Sequence, residues 1–257
     1  QMITFHGFGQ DQRSLCALEA AFPDTRFLHL DLFFHGDSYL ARKHRPLTAD
    51  IWKSMFSELL TKENIDHFHL AGFSFGCRLA ICCSSIFCEN IDGILLIAPE
   101  GSRVNFWYQL SVKLFRRIFR YTVTRPAWFF HFLKAIRRTH LASENLTALA
   151  TWQMNSVARR YRLYQTWTSY HRLLPDINQW VQIMNTHHIP VIIFTGNRDF
   201  LTPTKGIKDI CKKITLASCH QLDSDHRSLI RMSVHFLQTK QRLDHFSNEW
   251  YKIVLFR

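Results

Sequence analysis

The feature that most restricts what this chain can become is Gly72-Phe73-Ser74-Phe75-Gly76, set between two apolar runs. Residues 68–71 read as a buried strand and residues 79–86 as a buried helix. A strand that passes directly into a helix through Gly-x-Ser-x-Gly holds its serine at the tip of a strained turn, with φ expected to be positive. Gly72 and Gly76 are the residue type that lets neighbouring backbone pass where a Cβ would collide. Ser74 then stands at the carboxyl end of the strand, above the helix N-terminus. There the backbone N–H of Phe75 can donate to a developing oxyanion.

The rest of the chain supplies a frame for such an elbow. Apolar runs at 2–5, 27–32, 94–98, 191–195 and 213–217 read as further strands. Between them, helices are expected at 14–22, 51–60, 204–211 and 224–237, the second with Ile51, Met55, Leu59 and Leu60 as its apolar set. Strands alternating with helices predict an α/β fold, a doubly wound, mostly parallel sheet with both faces covered. In such a sheet, loops at the carboxyl edge carry the chemistry. A nucleophilic serine needs a base, and the base needs an orienting carboxylate. Asp199 follows the strand at 191–195, and His226 follows the last strand, at a loop-to-helix junction. Glu100, after the strand at 94–98, is a backup acid, and His220 is a rival base nearer its strand end.

Charge divides the chain. The formal net charge is +12, yet residues 102–188 hold thirteen Lys or Arg against only Glu144 and Asp176. The expected organisation is therefore a core of residues 1–101 and 189–257, with 102–188 as a strongly basic helical insertion. Within it, Lys113, Arg116, Arg117 and Arg120 recur at helical spacing beside an apolar stripe. Pro126 interrupts, and helices are expected again over 127–136, 144–170 and 176–184. The basic stripe has three readings: a solvated face, a contact with anionic lipid headgroups, or a clamp for a substrate carboxylate or phosphate. No recognised nucleic-acid module accompanies it, so no nucleic acid is expected. No apolar run reaches the roughly 18 residues that would span a bilayer, and no secretory signal is visible. The seven cysteines are odd in number and scattered, which suits a reduced, cytoplasmic setting, with peripheral contact at the inner membrane face as one reading.

His6-Gly7-Phe8-Gly9, Asp31-Leu32-Phe33-Phe34-His35-Gly36-Asp37-Ser38, the elbow, Gly196 to Pro203 and Asp225-His226 together resemble the motif series of the α/β-hydrolase superfamily. The likeness is to its serine-hydrolase branch with a helical lid. Residues 96–108 are similar to a group of bacterial α/β hydrolases without an assigned substrate. The resemblance implies that the Phe8 N–H joins that of Phe75 in an oxyanion hole and that the insertion is a lid. It implies hydrolysis of an ester, thioester or related small acyl compound by Ser74, His226 and Asp199. Phe8, Phe73 and Phe75 would form an apolar floor, with Phe73, Arg78 and Trp107 as substrate-binding candidates. Serine at the elbow argues against the aspartate-using dehalogenases and epoxide hydrolases. No metal cluster or dinucleotide fingerprint is visible, so no cofactor is expected.

The chain departs from the superfamily pattern at two points. It begins at the His-Gly strand, without the two antiparallel strands that usually precede it. Cys77 replaces a small glycine, so Cys77 and Arg78 either narrow the site or pack a helix face. The sequence Gly72 to Ala80 is also similar to the elbow of the menaquinone-pathway lyase that eliminates pyruvate, where the triad removes a proton and arginines bind carboxylates. A scaffold that keeps the fold without catalysis is the third reading.

Overall fold

Six parallel strands form one sheet in the order β2-β1-β3-β4-β5-β6 in a computed structural model that describes residues 1–99, 116–138, 144–202 and 204–244. The strands are β1 (Met2–Phe5), β2 (Phe27–Leu30), β3 (Phe68–Phe73), β4 (Ile91–Ile97), β5 (Val191–Gly196) and β6 (Ala217–Leu222). Chain reversal between β1 and β3 makes a switch point, and the elbow leaves the carboxyl end of β3 beside it.

Alternate residues of the central strands feed two separate cores, which is why these strands are apolar throughout. Leu70, Ile94, Leu96, Val191 and Ile193 point to one face, and Ala71, Leu95, Ile97, Ile192 and Phe194 to the other. The first face is covered by α1 (Ala49–Glu63), α2 (Phe75–Ile86) and, beyond the insertion, α7 (Ile177–Thr186). The second is covered by a 3-10 helix, Gln12–Ala21, and by α9 (Leu229–Asp244). Trp180 on α7 is fully buried and its indole N–H donates to Ser84 Oγ on α2 at 2.9 Å, tying the two helices.

Local chemistry sets the ends. The Thr48 hydroxyl accepts from the Ile51 N–H at the start of α1, and Asp176 accepts from Asn178 and Gln179 N–H at the start of α7. Between β4 and β5 lie α3 (Arg116–Thr124), α4 (Pro126–Arg138), α5 (Glu144–Met154) and α6 (Val157–Tyr170). Pro126 sits at the first position of α4, where its missing N–H costs nothing. The remaining helix, α8 (Thr204–Cys211), connects β5 to β6.

Five expectations are corrected. The last strand lies at Ala217–Leu222, not 213–217, because the apolar residues Ile214 and Leu216 belong to the approach into the strand. The following helix starts at Leu229 rather than 224, since residues 225–228 form a turn around the Asp225 carboxylate. The expected helix 144–170 is two helices, broken at Asn155-Ser156. Arg160 donates to the Met154 carbonyl across that corner and satisfies one of the open carbonyls at the end of α5. Finally, α1 buries Trp52, Phe56 and Leu60, with Ile51, Met55 and Leu59 at the margin. The expected helix at 14–22 is the 3-10 helix already given.

Candidate active site

Ser74 joins β3 to α2 with φ 52° and ψ −116°, outside the regions that an L-residue adopts without strain. What holds it there is packing of backbone on backbone. A Cβ on Gly76 would lie 2.5 Å from the Phe5 carbonyl carbon and 2.7 Å from the His6 carbonyl oxygen. A Cβ on Gly72 would meet the Cys77 backbone at 2.7 Å. The Ser74 N–H donates to the Ile97 carbonyl at 2.9 Å, and its carbonyl accepts from the Cys77 N–H at 2.9 Å. Cys77 is buried, and its thiol donates to the Gly72 carbonyl at 3.1 Å.

Three side chains from three strand ends meet. Ser74 Oγ lies 3.1 Å from His226 Nε2, and His226 Nδ1 lies 2.6 Å from Asp199 Oδ2. A carboxylate only accepts, so Nδ1 carries the proton and Nε2 offers its lone pair to the serine hydroxyl. Asp199 accepts further hydrogen bonds from Leu201 N–H at 2.8 Å, Thr202 N–H at 3.2 Å and Thr202 Oγ1 at 2.6 Å. Burial pushes its carboxyl upward. The hydrogen bonds from His226 and Thr202 outweigh that and hold it below the ordinary carboxylate value. Asp199 is therefore a buried, ionised, fully hydrogen-bonded carboxylate. The Phe73 ring packs 5.0 Å from the His226 ring and limits its rotation.

The loop after β1 is held by side chains that leave one N–H out. Gly7 N–H donates to Gln10 Oε1 at 3.0 Å, and Gly9 N–H to His35 Nε2 at 3.0 Å. Arg162 on α6 donates to the Gly9 carbonyl at 3.3 Å. Among the described residues, no hydrogen bond takes the N–H of Phe8 or of Phe75, whose rings lie 6.5 Å apart across the elbow. Behind this loop His6 and His35 are both buried. Each donates from Nδ1 to a carbonyl (Gly7 and Phe33) and accepts at Nε2 from a backbone N–H (Leu32 and Gly9). Burial lowers both pKa values, that of His35 to about 4, so both rings are neutral at ordinary pH.

The elbow and the two loops thus present a hydroxyl, an oriented base, a buried carboxylate and two unclaimed amide N–H groups, a set suited to acyl transfer. His220 is not part of it: its ring, on β6, packs 4.5 Å from that of Phe236 on α9. Phe73 and Arg78 are both buried: Phe73 packs against His226, and the Arg78 guanidinium lies 5.1 Å over the Phe75 ring. Glu100 and Trp107 lie outside the described residues. Gln10, His35, Arg162, Thr202 and Tyr170, whose hydroxyl accepts from the Phe33 N–H at 3.0 Å, are supporting residues that the sequence reading missed. Only Thr202 carried a local signal, three residues after an acid in a turn. Among the described residues, one group has metal-ligand proximity, Cys16, Glu19 and His29. His29 is engaged there by Thr4 at 2.7 Å and Glu19 at 2.9 Å, and neither Ser74, Asp199 nor His226 belongs to the group.

No protein-family model matches the chain. The 2-succinyl-6-hydroxy-2,4-cyclohexadiene-1-carboxylate synthase of Enterobacter sp. (strain 638) is 32% identical over 100 residues, 39% of this chain and 36% of that protein. The Arabidopsis thaliana protein named "Probable lysophospholipase BODYGUARD 1" is 24% identical over 248 residues, covering 82% of this chain and 50% of that one. The chain spans half or less of the length of these two relatives. An α/β hydrolase from a Medee basin deep-sea metagenome superposes with a TM-score of 0.64 at 15% identity, over 96% of this chain and 90% of its own. A thermophilic esterase from Thermogutta terrifontis gives a TM-score of 0.66 at 14% identity, over 95% and 89%. At such identities the likeness is one of fold.

Proposed function

We propose that this chain, which has the α/β-hydrolase fold, is a serine hydrolase of an ester, thioester or related acyl compound. The observation that carries the reading is the continuous hydrogen-bonded chain Ser74–His226–Asp199, at 3.1 and 2.6 Å, on a strained elbow. Ser74 Oγ attacks the acyl carbon while His226 Nε2 takes its proton, and Asp199 stabilises the imidazolium that results. The carbonyl oxygen becomes an oxyanion and accepts from the N–H groups of Phe8 and Phe75, each worth about 3 kcal/mol in the transition state. His226 then gives its proton to the leaving group. Water, activated by the same ring, releases the acid and restores Ser74. Esterase and hydrolase structures among the fold relatives support the hydrolase class.

A lyase reading, in which His226 removes a carbon-bound proton and arginines hold carboxylates, is favoured by the likeness to the cyclohexadiene-carboxylate synthase. Against it, the arginines of α6 are engaged with their own chain. Arg159 lies over the Trp152 ring at 4.1 Å, Arg160 donates to Met154, and Arg162 donates to Gly9. Rapid-quench mass spectrometry with p-nitrophenyl acyl esters separates the two readings. The hydrolase reading predicts an acyl adduct on the Ser74 peptide that decays with turnover. Elimination of a carboxylated substrate with no adduct at any time point would replace it with the lyase.

A further inference from the structure

We propose that the outer face of α3 and α4 is a docking surface for an anionic lipid bilayer. The case begins with charge. Residues 116–172 contain eleven Lys or Arg and a single acidic residue, Glu144. On α3, Arg117 and Arg120 are exposed, and Arg125, between the two helices, is exposed as well. Lys134 is exposed on α4. Among the described residues, no carboxylate on α3 or α4 neutralises them, because residues 116–138 contain no Asp or Glu.

Large apolar groups stand exposed on the same two helices. Ile118 is 52% exposed, Tyr121 49% and Phe132 52%, and Trp128 stands partly exposed between them. Tyr121 and Trp128 have ring centroids 6.2 Å apart, and so do Trp128 and Phe132. The three rings thus form one continuous ridge across both helices, with the Arg125 guanidinium 5.4 Å over Tyr121. Spacing in the sequence explains it: Ile118, Tyr121 and Arg125 recur at helical intervals, as do Trp128 and Phe132. Val123 and Leu133 are buried on the opposite sides, so both helices are already anchored and the ridge is surplus to the fold.

Apolar rings beside the Arg125 guanidinium, on two basic helices without acids, match a headgroup boundary. Rings enter among the acyl chains while guanidinium groups stay with lipid phosphates. Two other occupants fit less well. A second copy would bring two basic faces together. Nucleic-acid bases need separated stacking platforms, whereas these rings already contact one another. No described helix is long and apolar enough to cross a membrane, so the contact is one of surface docking.

The test is flotation of the Ser74→Ala protein, which cannot turn over lipid, with phosphatidylcholine vesicles with and without phosphatidylglycerol. The expected result is binding that requires phosphatidylglycerol and is lost as salt rises from about 0.1 M to about 1 M, where the Debye length falls from about 10 Å to about 3 Å. Arg125→Gln, at the ridge itself, should lower partitioning about fivefold. Trp128→Ala with Phe132→Ala should weaken it at unchanged charge, with circular dichroism unaltered. Absence of binding at low salt, or equal binding to neutral vesicles, overturns the proposal. So does retention on single-stranded nucleic acid that anionic vesicles fail to displace. The dependence of the unmutated face on lipid charge and salt decides the matter even if a variant fails to fold. Because Ser74 is absent throughout, the outcome is independent of the hydrolase reading.

Discussion

Replacing Gly76 with alanine should disable the site through the backbone while leaving every triad side chain in place. The new Cβ would overlap the Phe5 carbonyl oxygen and sit 2.5 Å from the Phe5 carbonyl carbon and 2.7 Å from the His6 carbonyl oxygen, all main-chain atoms. An ordinary contact needs about 3.5 Å or more, so β1 and the start of the Gly7–Gln10 loop must retreat by about 1.5 Å. Forcing one methyl into packed backbone costs about 1–3 kcal/mol. For a chain of this size that is a melting temperature lower by about 2–10 °C. The catalytic loss should be larger. The moving segment carries Phe8, and a displacement near 1 Å costs about a hundredfold in rate. Urea denaturation and kcat/KM for a p-nitrophenyl ester measure the two effects. Gly9→Ala is the comparison: it has open space around it but a φ of +83°, so it should show strain of about 1–2 kcal/mol without the clash at β1. A Gly76→Ala protein with unchanged stability and unchanged kcat/KM would refute the claim that backbone contact at Gly76 fixes the geometry.

Further outcomes follow from the same contacts. Asp199→Asn should lower kcat about 10⁴-fold, because an amide cannot hold the Nδ1–H tautomer of His226 as a carboxylate does, while the fold persists. In the unmutated chain the depressed Asp199 pKa stabilises the fold above the unfolded value of 3.8, and that contribution is lost as pH falls through the lower folded value. The asparagine variant should lose this acid dependence in urea titrations. His35 has the opposite charge type but the same direction of pH effect. With its pKa lowered from 6.5 to about 4, its contribution is full above 6.5 and declines toward pH 4, by about 2 kcal/mol at pH 5. His35→Gln should flatten that limb of the stability curve. Tyr170→Phe removes the acceptor for the Phe33 N–H at 3.0 Å and should destabilise the chain by about 1–3 kcal/mol.

The strands of the sheet and the elbow were legible because their signals are local. A strand buried on both faces has to be apolar at every position, and 91–97 and 191–196 are nearly so. Asp199 and His226 could be placed because each follows a strand end. β6 was misplaced because it is an edge strand, where Ser218, His220 and Gln221 are tolerated at positions that a central strand would fill with apolar residues. The break at Asn155-Ser156 was missed because a helical period can continue in phase across a short corner. What could not be read at all are contacts between distant segments. His35 beneath Gly9, Arg162 on the Gly9 carbonyl and Tyr170 on the Phe33 N–H join residues 26, 153 and 137 positions apart. No window of sequence contains such pairs.

The central claim is that Ser74 is an activated nucleophile, and labelling with a fluorophosphonate probe tests it most directly. Serine Oγ displaces fluoride at phosphorus only when a base removes its proton, which His226 is positioned to do at 3.1 Å. The account predicts rapid, stoichiometric labelling of the native chain, none of Ser74→Ala, and labelling slowed by orders of magnitude in His226→Ala. A folded native protein that takes up no label, or a Ser74→Ala protein labelled at the native rate, would contradict it.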